Sequence, residues 1–175
     1  MPPTEITRFV AGNTEFVGLL RKYFYYDNAA YPVTVRFADQ RHVYDVRAGK
    51  YLGFTDRLDT GISYEAHLYA RLPYQVDAVT LEAPSQADRT TPTVFNLGLK
   101  TAGGKPGAGH VFHVSVFSPN GAELPWYARQ VAAVDGSATV DIPWALNDPA
   151  GRYTVAVREV GSGVTARESV VVDDR

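Results

Sequence analysis

Short runs of alternating apolar and polar residues follow one another along the whole chain of 175 residues. The runs are rich in Val, Tyr, Phe and Thr, and a period of two residues is that of strands with one buried face. Helical spacing is hardly sustained anywhere. The pattern therefore predicts an all-β protein, with strands at residues 5–10, 15–22, 33–37, 42–45, 51–55, 62–72, 76–82, 93–100, 110–118, 130–134, 138–142, 151–159 and 164–172.

Turn signals divide these strands into two groups. Dipeptides such as Asn120-Gly121 and Asp135-Gly136 separate the strands at the spacing of an antiparallel meander or Greek key. Pro73 ends the long sixth run, and a proline cannot continue a central strand. The sequence thus predicts two tandem antiparallel β-sandwich modules. The first, at residues 1–74, is irregular, and the second, at 75–175, is immunoglobulin-like with about seven strands.

Composition and charge exclude several functions. The formal net charge is −2 with no run of Lys or Arg, so the positive surface that nucleic acids require is not expected. No apolar stretch approaches the length of a membrane span or a signal peptide. Cysteine is absent, which excludes disulfides and thiol chemistry. A cytoplasmic location is expected for a complete chain, and an exported or cell-surface location for a fragment of a larger one.

One hairpin resembles a known class of domain. Residues 42–53 read HVYDVRAGKYLG, with Gly49 at the turn and two tyrosines and two valines for a core. This phrase resembles the hairpin in C-terminal β-sandwich domains of glycoside hydrolases and of associated bacterial proteins. In those domains a strand that closes the sandwich follows it, and residues 64–72 match that position here.

The second half carries a different resemblance. Three phrases, VSVFSPNG at residues 114–121, DGSATVDIP at 135–143 and GRYTVAV at 151–157, are similar to those of macroglobulin-like and other bacterial immunoglobulin-like modules. The catalytic acid and nucleophile of glycosidases come from barrel strands that this chain does not contain. The resemblances imply a non-catalytic accessory or interaction module, the C-terminal part of a larger bacterial carbohydrate-related protein, with the rest of that polypeptide or another protein as its partner.

Catalytic and metal chemistry find little support in the residues. His110 and His113 are expected on opposite faces of one strand, where they cannot readily share a metal ion. No Gly-x-Ser-x-Gly elbow occurs. The acids that could in principle cleave glycosides are Asp39, Asp45, Asp56, Asp59 and Glu65. Asp56 and Asp59 lie between two predicted strands, where a turn and solvation explain them. The sequence predicts no enzyme and no cofactor.

Two loops have a functional and a plain interpretation. Asp141, Asn147 and Asp148 could gather around calcium, although their composition is also that of a capped turn, which is the favoured interpretation. The glycine-rich segment 102–109 could be taken for a phosphate-binding loop. A strand is expected after it rather than a helix, so the segment is interpreted as a strand connection.

Aromatic clusters are the best candidates for ligand contact. Tyr23, Tyr25 and Tyr26 lie in a run of consecutive aromatics, and such a run cannot be buried on one face of a strand. Trp126 and Tyr127 interrupt the connection between two predicted strands. Packing against a partner domain is the favoured interpretation, and stacking against a carbohydrate is the alternative. Trp144 is expected to plug one end of the second sandwich.

Overall fold

The computed structural model describes residues 4–21 and 29–173, and within these ranges the protein is all-β. The helical content of the described ranges is the three-residue 3₁₀ helix Pro125–Tyr127. No helix in the described ranges has the length and hydrophobicity that crossing a bilayer demands. The prediction of an all-β fold built from antiparallel sheets is confirmed.

The first half of the chain forms one five-stranded antiparallel sheet. Its order is β1-β2-β5-β3-β4. The strands are β1 (Thr4–Ala11), β2 (Thr14–Arg21), β3 (Tyr31–Asp45), β4 (Lys50–Ile62) and β5 (His67–Leu72). The prediction that residues 62–72 form one strand is wrong, because β4 ends at Ile62 and β5 begins at His67.

This sheet packs on itself through a bend in its long hairpin. The pairing of β3 with β4 shifts register between Arg36 and Arg41, and such an irregularity bends a strand. The part of the hairpin beyond this bend, which contains Val33 and Leu58, is folded over the sheet. These two side chains share one core with Val17 of β2 and Tyr69 of β5. A sandwich-like core is thus formed within a single sheet.

The second half forms two sheets around a larger core. One sheet has the order β10-β9-β12-β13-β7 and the other β11-β8-β6. Inward side chains alternate along each strand, and both sheets contribute to a core that includes Phe95, Phe112 and Tyr153. The strands are β6 (Gln75–Glu82), β7 (Gln86–Ala87), β8 (Thr93–Ala102), β9 (Val111–Phe117), β10 (Arg129–Ala132), β11 (Ser137–Ile142), β12 (Gly151–Glu159) and β13 (Thr165–Val172).

The chain passes from the first sheet to the sheets of the second half at the predicted boundary. β5 ends at Leu72 and β6 begins at Gln75, so Pro73 and Tyr74 connect the first sheet to the second half. Among the described residues, no strand before Pro73 pairs with a strand after it. The division into two domains stays a prediction, because side chains of both halves share a buried cluster.

Candidate functional site

The two halves meet in a buried apolar cluster, which we call the joint. It is formed by Tyr44, Val46, Ala70, Leu72, Tyr74 and Val76, and Leu99 and Val164 of the second half pack against it. The Tyr44 hydroxyl accepts a hydrogen bond from the Val76 amide at 2.8 Å. Burial, only partly offset by this bond, raises the pKa of Tyr44 to about 12. The phenol therefore stays neutral and holds the first sheet to the start of the second half.

A chain of buried polar side chains extends the joint into the second half. The Tyr74 hydroxyl lies 2.7 Å from His110 Nε2, and His110 Nδ1 lies 3.0 Å from Glu159 Oε1. Glu159 also accepts the Gly161 and Ser162 amides at 3.0 and 2.6 Å. Burial alone would raise the pKa of Glu159, but the hydrogen bonds from His110 and Ser162 outweigh it and hold that pKa below its usual value. These groups satisfy one another away from solvent, which indicates a structural role.

Two turns interlock across the joint. Gly49 ends the turn between β3 and β4, and Gly163 lies in the turn between β12 and β13. A Cβ built on Gly163 would lie 2.3 Å from the Gly49 Cα. Beside this contact, Arg158 donates a hydrogen bond to the Val46 carbonyl oxygen at 3.0 Å. The hairpin that resembles those of glycosidase C-terminal domains is therefore also the element that fastens the two halves together.

The glycine-rich segment 102–109 packs against the joint. The Gly107 amide donates a hydrogen bond to the Tyr74 hydroxyl at 2.8 Å, and the Ala108 carbonyl accepts one from Thr14 at 2.8 Å. Strand β9 follows the segment, as predicted. A phosphate-binding loop needs free amides at the start of a helix, and this segment instead connects two strands.

The predicted aromatic contact residues have different surroundings. Tyr23, Tyr25 and Tyr26 lie outside the described residues. Trp126 is 61% exposed. Tyr127 is buried, and its hydroxyl donates to Asp148 and accepts the Ala145 amide. Its ring is therefore not available to a ligand at the surface.

The end of the second sandwich is closed by packed aromatic rings. Trp144 is buried against Tyr127 and Tyr153, with ring centroids 5.6 and 4.8 Å away, and its indole nitrogen donates to Thr93 at 2.7 Å. Asp148, a candidate calcium ligand, uses one carboxylate oxygen to accept from Tyr127 and the Ala145 amide. The described residues contain no group of three or more His, Cys, Asp or Glu side chains that could hold a metal ion.

His113 takes part in a serine–histidine contact on the outer face of β9. Ser115 Oγ lies 3.2 Å from His113 Nε2, and it donates to Glu123 at 2.8 Å. In a hydrolytic triad the acid orients the histidine, whereas here Gln130 contacts His113 and the acid contacts the serine. This arrangement does not activate the serine as a nucleophile.

A cleft lies between β1, β2 and the bend of β3. We call it the charged cleft; its volume is about 340 Å³. It is lined by Ile6, Arg8, Glu15, Val17, Val35, Arg36, Phe37, Ala38, Asp39 and Arg71. Half of these residues are apolar and half are charged, so the cleft is more highly charged than most small-molecule sites, which are lined mainly by apolar side chains.

Arg71 is the centre of the charged cleft. Its side chain is 2% exposed, and its two terminal nitrogens bond to Glu15 and to Asp39. The guanidinium carbon lies 3.7 Å from the centre of the Phe37 ring, a cation–π contact. Glu15 also accepts a hydrogen bond from Arg8 Nε. Arg71 Nε is buried and has no hydrogen-bond partner among the described residues.

The two carboxylates of the charged cleft do not suit glycoside hydrolysis. Hydrogen bonds from Arg41 and Arg71 lower the pKa of Asp39. Glu15 is held between the side chains of Arg8 and Arg71. A glycosidase needs one carboxyl group that is protonated and can donate to the leaving oxygen. Asp39, held as an anion by its arginines, cannot supply that proton.

Sequence reasoning missed Glu15 and Arg71. Arg71 follows the buried Tyr69 at the spacing of one sheet face, and Glu15 precedes the buried Val17 in the same way. A charged residue at an inward position of an alternating strand was the available signal. It was overlooked because both segments read as ordinary strands.

A second aromatic surface lies beside the joint, and we call it the aromatic face. It consists of His42, Tyr51 and Phe54. Tyr51 donates or accepts a hydrogen bond at 2.9 Å with His42 Nδ1, and the two rings stack with centroids 5.8 Å apart. Phe54 packs against His42 at 4.9 Å and is 54% exposed. Partial burial lowers the pKa of His42.

Comparisons with known proteins give only distant similarities. No protein-family model matches the chain, and no curated protein matches it. Among solved structures, it is similar to a superoxide reductase (neelaredoxin) from Ignicoccus hospitalis, with 14% identity, 56% of this chain and 82% of that chain covered, and a TM-score of 0.41. It is also similar to a β-glucuronidase from Parabacteroides merdae, with 10% identity and a TM-score of 0.31.

The β-glucuronidase comparison covers 91% of this chain and 28% of that chain. The chain thus spans little more than a quarter of the enzyme's length. At such TM-scores neither structure carries an argument about activity.

Proposed function

We propose that this chain is a non-catalytic accessory module that holds its attached polypeptide or protein partner in a fixed geometry. The observation that supports the proposal is the joint, in which apolar side chains, the Tyr74–His110–Glu159 chain and the Gly49–Gly163 contact connect the two halves. Domains joined by small polar interfaces are expected to move relative to each other. An interlocked and buried joint instead suits a stiff spacer.

The larger protein is proposed to be a bacterial carbohydrate-related polypeptide. The argument rests on the hairpin phrase at residues 42–53, which resembles glycosidase C-terminal domains. That phrase forms the β3–β4 turn and packs on the turn between β12 and β13. A module fastened in this way can add a second sandwich at a defined angle beside a catalytic domain.

The rigidity of the module can be measured by electron paramagnetic resonance distances. The chain has no cysteine, so spin labels can be placed at Asp56→Cys in the first half and Asp141→Cys in the second, both exposed positions. We expect one narrow distance distribution. A matched control is the pair Asp141→Cys and Glu168→Cys, which lies within the second half.

The width of the distribution decides the outcome. A stiff joint gives the pair across the halves the same width as the pair within the second half. A distribution that is much broader across the halves would contradict the spacer function. Turnover of chromogenic glycosides or esters that is lost in the Glu15→Gln variant would contradict the non-catalytic part of the proposal.

A second candidate function is carbohydrate binding, which the exposed rings favour. Trp126 is 61% exposed, and Tyr51 and Phe54 of the aromatic face are 39% and 54% exposed. Aromatic rings that are apolar on their faces and held in place by packing can stack on the apolar faces of sugar rings. The side chain of Tyr51, bonded to His42, adds a polar group at the edge of this surface.

Affinity electrophoresis in polysaccharide gels tests this second candidate. We expect retardation by at least one neutral polysaccharide, with the affinity reduced about fivefold by Trp126→Ala or Phe54→Ala, since losing a stacked ring removes about 1 kcal/mol. Leu146→Ala is the control, because Leu146 is exposed but not aromatic. Unchanged mobility across a broad panel would exclude carbohydrate binding by these rings.

A further inference from the structure

We propose that the charged cleft binds a small organic acid, with the ligand's carboxylate on Arg8 and its apolar body against Ile6, Val17 and Val35. This inference is independent of the spacer function. It concerns a site in the first sheet, on the opposite face of that sheet from the joint, since Val17 and Tyr69 face the cleft side and Phe16 and Ala70 face the joint.

The buried charges of the cleft are not explained by stability. Arg71 and Glu15 are both almost fully buried. A buried ion pair rarely stabilises a fold more than apolar side chains of the same size would, because both charges lose their hydration. Arg71 Nε, moreover, is left without a partner among the described residues. A buried charged group that adds little stability and is not fully hydrogen-bonded indicates a binding role when it lies in a cleft.

The balance of charge in the cleft favours an anion. Three arginines, Arg8, Arg41 and Arg71, bond to its two carboxylates, those of Glu15 and Asp39. Both carboxylates are already engaged by arginines. A cationic ligand would have to displace one of those arginines, whereas an anion meets the remaining positive charge.

One of the arginines retains donors for a ligand. Arg8 bonds to Glu15 through Nε, its side chain is 65% exposed, and its terminal nitrogens make no hydrogen bond to the described residues. Arg36 is directed away from the cleft, because Val35 and Phe37 on either side of it face the core and its charge acts on Asp59 of β4. A guanidinium group with free terminal nitrogens can donate two parallel hydrogen bonds to a carboxylate.

The apolar lining determines the rest of the ligand. Ile6, Val17, Val35, Ala38 and the Phe37 ring form the other half of the cleft surface. An inorganic anion would leave this surface unused, and a neutral sugar would leave the excess positive charge unpaired. An acid with a compact apolar or ring-shaped body matches both halves of the lining, and the volume of about 340 Å³ is within the range of small-molecule sites.

The bend of β3 brings these groups together. The register shift between Arg36 and Arg41 places Arg36, Phe37 and Asp39 at the point where the hairpin turns over the sheet. Irregular pairing of this kind re-aims side chains and is frequent beside binding sites. Asp39 is fixed there by Arg41 at 2.7 Å and by Arg71 at 3.0 Å.

The proposal can be tested by nuclear magnetic resonance titration of the whole chain. The probes are benzoate and cyclohexanecarboxylate, with benzamide, cyclohexanecarboxamide and sulfate as comparisons. We expect the two acids to cause saturable shifts of the Val17, Val35 and Phe37 amide signals. The two neutral amides are expected to bind at least about tenfold more weakly, because the charge-assisted hydrogen bonds are lost.

A pair of variants distinguishes the site from general anion binding. Arg8→Gln is expected to weaken benzoate binding at least about tenfold and to leave the fold intact, because the Arg8 side chain is 65% exposed. Arg57→Gln, an exposed arginine of β4 that bonds to Asp59, is the control and should bind benzoate normally. Four results would each overturn the proposal: no saturable shift, equal binding of acid and amide, equal shifts with sulfate, or normal binding by Arg8→Gln.

Discussion

Replacing Arg71 by alanine is expected to lower the free energy of unfolding by about 3–5 kcal/mol, which is the effect of breaking a buried ion pair by removing one partner. Glu15 would remain buried with only Arg8, whose side chain is mostly in solvent, as its partner. The variant would also lose the contact of the guanidinium with the Phe37 ring. Urea denaturation followed by far-ultraviolet circular dichroism measures the change as a shift of the midpoint at constant slope.

Two comparisons separate charge from side-chain size. Arg57→Ala removes an arginine that is paired with Asp59 at the surface, and it should leave the unfolding free energy nearly unchanged, because solvent screens an exposed pair. The double variant Glu15→Leu, Arg71→Met removes both charges and keeps apolar volume. It should be clearly more stable than Arg71→Ala, because an apolar pair avoids the loss of hydration. If the double variant is as unstable as Arg71→Ala, the buried charge is not the cause.

The second half of the chain is well predicted because its alternation reports burial directly. Tyr153, Val155 and Val157 are spaced by two, and all three are buried in the common core. Each of the seven strands predicted there is present. The short strand β7 was missed, since two residues, Gln86 and Ala87, carry no periodic signal.

The first half shows where alternation fails. The apolar residues Ile62, Tyr64 and Leu68 are spaced by multiples of two, and this spacing predicts a single strand over residues 62–72. The chain instead leaves β4 after Ile62, because β5 pairs with β2 and with the opposite edge of β3. Tyr64 is exposed in this connection. Periodicity describes which faces are apolar, but it does not say where a strand must stop to reach its neighbour.

The candidate sites were even less accessible from the sequence. Glu15 and Arg71 are 56 residues apart and meet only because β2 and β5 are neighbours. Among the predicted aromatic contact residues, two neighbours in sequence differ in exposure. The 3₁₀ helix that begins at Pro125 turns Trp126 outward and Tyr127 inward. The aromatic composition predicted a contact surface, but the choice between adjacent rings depends on one helical turn.

The second large loss of stability is expected for a substitution at the joint. Gly163→Ala is expected to destabilise the protein by about 3 kcal/mol or more, because two unfavourable contributions add. The backbone φ of Gly163 is +79°, a conformation that is strained for alanine by about 1–3 kcal/mol. The new methyl group would also lie 2.3 Å from the Gly49 Cα and 2.8 Å from the Gly49 carbonyl oxygen, which are backbone atoms of the opposite half. Thermal and urea unfolding measure the sum.

Gly103→Ala isolates the contribution of the clash. Gly103 has a φ of +84°, close to that of Gly163, but no atom lies within 4 Å of a Cβ built on it. This control should therefore lose about 1–3 kcal/mol from backbone strain alone. Since the extra loss in Gly163→Ala arises where the halves touch, it should be accompanied by a broader distance distribution between labels at residues 56 and 141. Equal destabilisation by the two substitutions, with unchanged distances, would show that the Gly49–Gly163 contact does not hold the halves together.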